Sequence, residues 1–315
     1  MCCLFGLVDY GNKLSIKNKE KIIRVLSNEC EARGTDATGV AYMTGNKMII
    51  FKKPLPARKM KFKFNSNPSV IMGHTRMTTQ GSEKNNINNH PFYSEKLGFS
   101  LAHNGVLYND KTLRKTEKLP DTKIETDSYI AVQLIEKQKT LNFDTTKNMV
   151  EKVEGSFCFT ILSKDNELYI VKGDNPMCIA KFNGFYIYAS TKEILTKALK
   201  RLGLKHYKEV NIKAGEILKI DALGNIIRAK FDMDFGYGYW NNYFWGYGSR
   251  KRNAANEAKS AYDEYIDDLI YYGKCVGIEE ETIKELLDLG YDYMDIEDML
   301  YNYDYYKTND FCDEI

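Results

Sequence analysis

No run of 18 consecutive apolar residues occurs among the 315, so nothing in the chain reads as a membrane-spanning helix. The N-terminus lacks a secretory pattern: its apolar stretch ends at Val8, Asp9 follows, and no basic residue precedes it. Cysteine is scarce and odd in number. The seven lie at 2, 3, 30, 158, 178, 275 and 312 with no CxxC pair, which reads as reduced thiols of a cytoplasmic protein rather than a disulfide framework. Only four histidines occur (His74, His90, His103, His206), and their spacing fits no zinc site. There is no GxxxxGK[ST] phosphate loop. Neither sign of charge dominates, with 45 Lys+Arg against 43 Asp+Glu, which argues against a dedicated nucleic-acid binder.

What is present is enough apolar residue, 43%, for a packed core. The even charge balance conceals an asymmetry. Residues 253–315 hold 4 Lys+Arg and 18 Asp+Glu, a net of −14, so residues 1–252 carry +16. A basic body with an acidic tail piece suggests separate structural units. Three segments are expected: a body at 1–230, a connecting strap at 231–252 rich in Gly and aromatics, and an acidic helical module at 253–315. In the last, apolar faces at Ile283, Leu286, Leu287, Leu289, Ile296, Met299 and Leu300 are separated by Gly290. The rings of the strap read either as packing onto the body or as a contact for a partner.

Periodicity predicts strands at 2–8, 40–43, 47–51, 69–76, 99–103, 155–163, 167–172, 177–182, 185–189, 215–220 and 225–231. Helices are expected at 18–32, 126–139, 144–153, 191–202, 254–272 and 279–301. Strands clustered at both ends with helices between them indicate an α+β layered domain rather than a βαβ repeat.

Several short segments carry chemistry. Cys2 directly follows the initiator Met. Removal of that Met would leave a free α-amine, with a pKa of about 8, able to serve as base for the cysteine's own thiol. Taken alone, a cysteine at a strand start reads as a small buried hydrophobe. Gly73-His-Thr-Arg76 places a guanidinium before a polar loop, where it could take a carboxylate on two parallel hydrogen bonds. His103-Asn104-Gly105 offers a side-chain amide and a glycine N–H, the makings of an oxyanion hole. Glu125-Thr126-Asp127 opens a helix. Asp127 either favours the helix dipole or holds a ligand ammonium.

Together these segments resemble the class II glutamine amidotransferase domain, the N-terminal-nucleophile glutaminase of glucosamine-6-phosphate synthase and its relatives. Cys2-Cys3-Leu4-Phe5-Gly6 looks like that family's opening, and Ala32-Arg33-Gly34-Thr35-Asp36-Ala37-Thr38-Gly39 like its second motif. Gly73 to Arg76 with Thr79 and Gly81, Asn89-His90-Pro91, His103 to Gly105, Glu125 to Asp127 and Val153 to Phe157 follow in the family's order. The likeness covers roughly residues 2–220.

The resemblance implies a four-layer αββα sandwich. It implies Cys2 as nucleophile, with Asn104 and Gly105 stabilising the oxyanion. Arg76, Thr79 and His90 would hold the carboxylate of L-glutamine, Asp127 its ammonium, and Arg33 would support the nucleophile's end. The segment bracketed by Gly73 and Gly81 would form a lid. No metal or cofactor is required. Ammonia would pass to an acceptor on a separate synthase protein, because the tail is too small for such chemistry. Met77 stands where the synthase branch has Trp, Gln80 where it has His, and Cys3 where it has Gly. The alternatives are a retired glutaminase fold used as a binding scaffold and a hydrolase of a different amide.

Overall fold

The structure is a computed structural model that describes residues 2–233, 270, 278–289, 296 and 299. The chain divides into two units, Met1–Phe244 and Trp245–Ile315, whose boundary lies outside the described residues.

The first unit contains two antiparallel sheets. Seven strands make the first: β1 (Cys3–Val8), β2 (Ala37–Thr44), β3 (Lys47–Lys53), β4 (Val70–Arg76), β9 (Cys178–Lys181), β10 (Tyr186–Ala189) and β11 (Lys208–Glu209), in the order β11-β9-β10-β1-β4-β2-β3. Six make the second: β5 (Phe92–Ser94), β6 (Phe99–Leu107), β7 (Gly155–Leu162), β8 (Leu168–Lys172), β12 (Glu216–Ile220) and β13 (Ile226–Lys230), in the order β13-β12-β8-β7-β6-β5.

Helices α1 (Ile16–Glu29) and α5 (Lys192–Leu202) cover the first sheet, and α3 (Tyr129–Lys137) and α4 (Phe143–Val150) cover the second. A short α2 (Asp110–Thr116) precedes α3. The α+β four-layer sandwich is therefore present. The structure adds β5, α2 and β11 to the expected elements. At three, seven and two residues, they are too short to show a period.

Side-chain alternation builds the layers. In β1, Cys3, Phe5 and Leu7 join Ile22, Ile23 and Leu26 of α1 in one cluster. Their neighbours Leu4 and Val8 join Met72, Ala102, Cys158, Tyr186 and Tyr188 between the sheets. In β6, Leu101 faces the α3 and α4 layer while Ala102 faces the first sheet. Each fully buried Leu, Ile or Phe contributes about 1.5–3 kcal/mol, which outweighs weak local propensity.

Local signals set the ends. Ser15 caps α1 by accepting from the Asn18 amide, and Thr191 caps α5 by accepting from Ile194. Asn142 and Thr145 form a reciprocal capping box on α4. Three expected boundaries move. α1 ends at Glu29, and Cys30–Arg33 tightens into a 3-10 turn. Pairing with β4 carries β2 back through Gly39 to Ala37, where a break was expected. The third helix begins at Tyr129, with Ser128 at its cap, so Thr126 and Asp127 precede it rather than open it.

In the second unit, α6 (Glu280–Asp288) buries Ile283 with Ile270 and Ile296, and Leu286 and Leu287 pack beside them. Leu289 and Met299 do not join this face, being 75% and 38% exposed. Gly290, Leu300, most of the expected 254–272 helix and the strap from 234 onward lie outside the described residues. Phe231, the strap's first ring, is buried against Phe157.

Candidate active site

The same alternation that builds the inter-sheet core also aims the chemistry. Cys2 shares the parity of Leu4, Arg76 that of Met72, and Asn104 that of Ala102, so all three are directed into the space between the sheets. Cys3 pairs with Thr75, which sets Cys2 beside Arg76. β6 lies against β1 and β4. His74 Nε2 donates to the His103 carbonyl at 2.9 Å, fastening the two sheets one residue before Asn104.

Cys2 is half-buried, and its Sγ lies 3.5 Å from both the amide nitrogen and the carbonyl oxygen of Met77. Burial pushes the thiol up from its ordinary 9.0, with the Met77 amide and Arg76 pulling the other way. A raised thiol is protonated at neutral pH and needs a base to act as nucleophile. Arg33 donates from Nε to the Cys2 carbonyl at 3.2 Å, bracing the backbone of this end.

Asn104 is fully buried, and both atoms of its amide lack a hydrogen-bond partner. A buried amide without partners costs about 1–3 kcal/mol, so it is a stored capacity to bind. Its own carbonyl accepts from Asn175 at 3.0 Å. Gly105 adopts φ +142, and a Cβ there would meet the Ser156 carbonyl at 1.9 Å, so only glycine fits. Asn104 and Gly105 sit inside β6, not past the end of a strand as the sequence suggested.

Arg76 is buried, and its guanidinium is already engaged. Nη1 donates to Asn89 Oδ1 at 2.8 Å, and Nη2 donates to the carbonyls of Gln80 at 2.5 Å and Gly81 at 2.9 Å. These contacts use three of an arginine's five N–H donors. Burial lowers its pKa, with Cys2, Asp36, Glu83 and Asp127 opposing. The segment expected to act as a lid is thus stapled by the residue expected to meet the substrate. Gly81, at φ +69, supplies the turn.

Asp127 is buried. Its Oδ2 accepts from the Leu107 amide at 2.6 Å and its Oδ1 from Ser128 at 3.3 Å. Thr79 is exposed in the lid. His90 does not reach the other candidates through any described hydrogen bond. Its ring packs between His74 and Phe92, at centroid distances of 4.2 and 4.4 Å, with both nitrogens unpartnered. Burial holds His90 well below its ordinary 6.5 and His74 at about 3.

Several contributors were given no role from the sequence. Gln80 Oε1 accepts the Asp127 amide at 3.1 Å, so one lid residue touches both the Arg76 and the Asp127 ends. Asp36 accepts the Thr78 amide at 2.7 Å, tying the second motif to the lid. Asn88 and Glu125 exchange hydrogen bonds at 2.7 and 3.0 Å, joining the polar loop to the segment of Asp127. The available signal was the position of Asp36 and Glu125 inside the recognised motifs. Surface cavities of about 420 and 350 Å³ lie elsewhere, and none of Cys2, Arg76, Asn104 and Asp127 lines either. Among the described residues no His, Cys, Asp and Glu cluster could hold a metal ion. No described helix is long and apolar enough to cross a membrane.

A sequence profile of the glutamine amidotransferase domain matches residues 74–197, a span that includes Arg76, Thr79, His90, Asn104, Gly105 and Asp127. The chain is 29% identical over 240 residues to the isomerizing glutamine–fructose-6-phosphate aminotransferase of Staphylococcus aureus, covering 72% of this chain and 38% of that one. The Staphylococcus epidermidis enzyme of the same name is 27% identical over 278 residues, covering 84% and 42%. The chain therefore spans about two fifths of the length of these relatives. Among solved structures, the glutamine phosphoribosylpyrophosphate amidotransferase of B. subtilis superposes with a TM-score of 0.58 at 22% identity, covering 74% of this chain and 50% of that one. A structure described as the allosteric regulatory enzyme of purine biosynthesis gives 0.60 at 22% identity, over 75% and 50%. At that identity the two structures speak for the fold. Residues 74–197 are a glutamine amidotransferase domain, and the chain is homologous to the class II, N-terminal-nucleophile glutamine amidotransferase portions of such enzymes.

Proposed function

We propose that the protein is a glutaminase that supplies ammonia, with Cys2 as nucleophile once Met1 is removed. The observation that carries this reading is the pairing of a half-buried Cys2 thiol with a buried, unpartnered Asn104 amide directed into the same inter-sheet space. The α-amine of Cys2 takes the thiol proton, and Sγ attacks the side-chain carboxamide of L-glutamine. The Asn104 amide and the Gly105 N–H stabilise the oxyanion of the tetrahedral intermediate. Ammonia leaves with the proton, a γ-glutamyl thioester remains, and water releases glutamate. A remaining N–H donor of Arg76 holds the α-carboxylate, while Asp127 holds the α-ammonium. Thr79 lies in the lid over that carboxylate, and His90 packs behind the site rather than on the substrate.

The ammonia passes to an acceptor on another protein; what supports a transfer is that the relatives of this chain are named as aminotransferases between glutamine and fructose 6-phosphate. The test measures glutamate and ammonia released from L-glutamine alongside the intact mass. An active protein is expected to begin at Cys2, and Cys2→Ala is expected to fall to background while keeping its thermal midpoint. An active protein that retains Met1, or full activity in Cys2→Ala, would falsify the reading.

A further inference from the structure

Adjacent cysteines at the start of β1 face opposite layers. Cys2 is directed between the sheets, while Cys3 joins the cluster formed with α1. There Cys3 Sγ lies 2.9 Å from Cys30 Sγ, and both residues are 0% exposed. Cys30 ends α1 and begins the 3-10 turn that carries Arg33, the residue bonded to the Cys2 carbonyl. The Cys30 carbonyl in turn accepts from Thr75 Oγ1 at 3.0 Å, holding the turn onto β4. Two thiols this close need to approach by only about 0.9 Å to reach the roughly 2.05 Å of an S–S bond.

We propose that Cys3 and Cys30 are a dithiol modification site, oxidised by a peroxide to a disulfide that fixes the Arg33 turn to the nucleophile strand. Cys3 sulfur attacks one peroxide oxygen, so an S–O bond forms, the O–O bond breaks and water leaves. Cys30 sulfur then attacks the resulting sulfenic sulfur. An S–S bond forms, the S–O bond breaks, and the hydroxyl departs as a second water with the Cys30 thiol proton, the Cys3 proton having left in the first. Both sulfurs are oxidised and the peroxide is reduced. The direction of the thiol shifts fits these roles. Cys3 is lowered, its burial outweighed by its hydrogen bonds to Cys30 and Ser190, while burial and the neighbouring Cys3 raise Cys30. Burial excludes bulky oxidants, whereas a peroxide is little larger than water and needs only local opening at the start of β1. Because Cys2 faces away, the reaction does not consume the proposed nucleophile.

The test treats the full chain with a few equivalents of hydrogen peroxide, unfolds it without reductant, alkylates free thiols and maps the peptides by mass. The expected product joins the Cys3 peptide to the Cys30 peptide with the loss of two hydrogens. It should be absent from Cys30→Ser and present in Cys2→Ala. The oxidised protein should melt several degrees higher than the reduced one, since the link closes a loop spanning 27 positions. Cys3 and Cys30 both alkylated under conditions that oxidise Cys2 would overturn the proposal, as would Cys30 joined to Cys2. An unchanged melting point with the link formed would overturn the bracing of the turn. Mapping of the unsubstituted chain decides the matter even where Cys30→Ser is insoluble.

Discussion

The space between the sheets has two ends built from the same strands. At one end Leu4, Met72 and the rings of Tyr186 and Tyr188 fill it with large side chains, the only polar groups among these four being the two phenol hydroxyls. At the other, Cys2 just before β1, Arg76 beyond His74 on β4 and Asn104 on β6 keep the same parity, and both amide atoms of Asn104 go unpartnered. The comparison teaches that the fold does not build a separate scaffold for its site. It extends the core's alternation two to four residues further and changes the residue types. Stability should therefore be held by the filled end and turnover by the other.

The largest expected effects set one end against the other. Asn104→Ala should lower glutamine turnover about 10²–10³-fold with little change in KM. It should leave the denaturant midpoint unchanged or raised, because it removes a buried amide that has no partner. Met72→Ala, at the filled end, should cost about 2–5 kcal/mol of stability while folded molecules turn over near the original rate. Equal losses of stability in both variants would break the comparison.

A smaller effect follows from His74, which lies between the two ends. Its proton sits on Nε2, since it donates to the His103 carbonyl, and burial holds its pKa at about 3 against an ordinary 6.5. Below 6.5 the unfolded chain binds a proton that the folded one refuses. Stability should thus fall as pH drops from 6.5 toward 3, by at most about 1.4 kcal/mol per unit from this residue. Urea midpoints measured across that window should slope less in His74→Asn than in the unsubstituted protein. The smallest effect sharpens the polar end alone. Gln80→Ala deprives the Asp127 amide of its acceptor and should raise KM for glutamine about two- to tenfold with turnover nearly intact. A drop in turnover with unchanged KM would show that Gln80 acts on the chemistry instead.

Much of this arrangement was legible in the sequence because it rests on local signals. The short buried strand that ends at Val8 and the capped, amphipathic α1 and α5 can be read directly, and so can the motif order. What escaped is tertiary. Nothing local announces that Arg76 spends its donors on Asn89, Gln80 and Gly81, since those bonds depend on how the loop returns. Likewise, His90 reads as a substrate contact from its motif, yet its ring packs between His74 and Phe92. The strand β6 runs on through Asn104 and Gly105 because β7 pairs with it to Leu107, a long-range cause that overrides the glycine.

The engaged Arg76 has a consequence for ionic strength. Its guanidinium is buried, so small ions cannot gather around it as they do around a surface lysine. A ligand carboxylate arriving there meets a positive potential that bulk salt hardly attenuates. Glutamine affinity should therefore stay nearly flat across a salt titration, while any association steered by the −14 of residues 253–315 weakens over the same range.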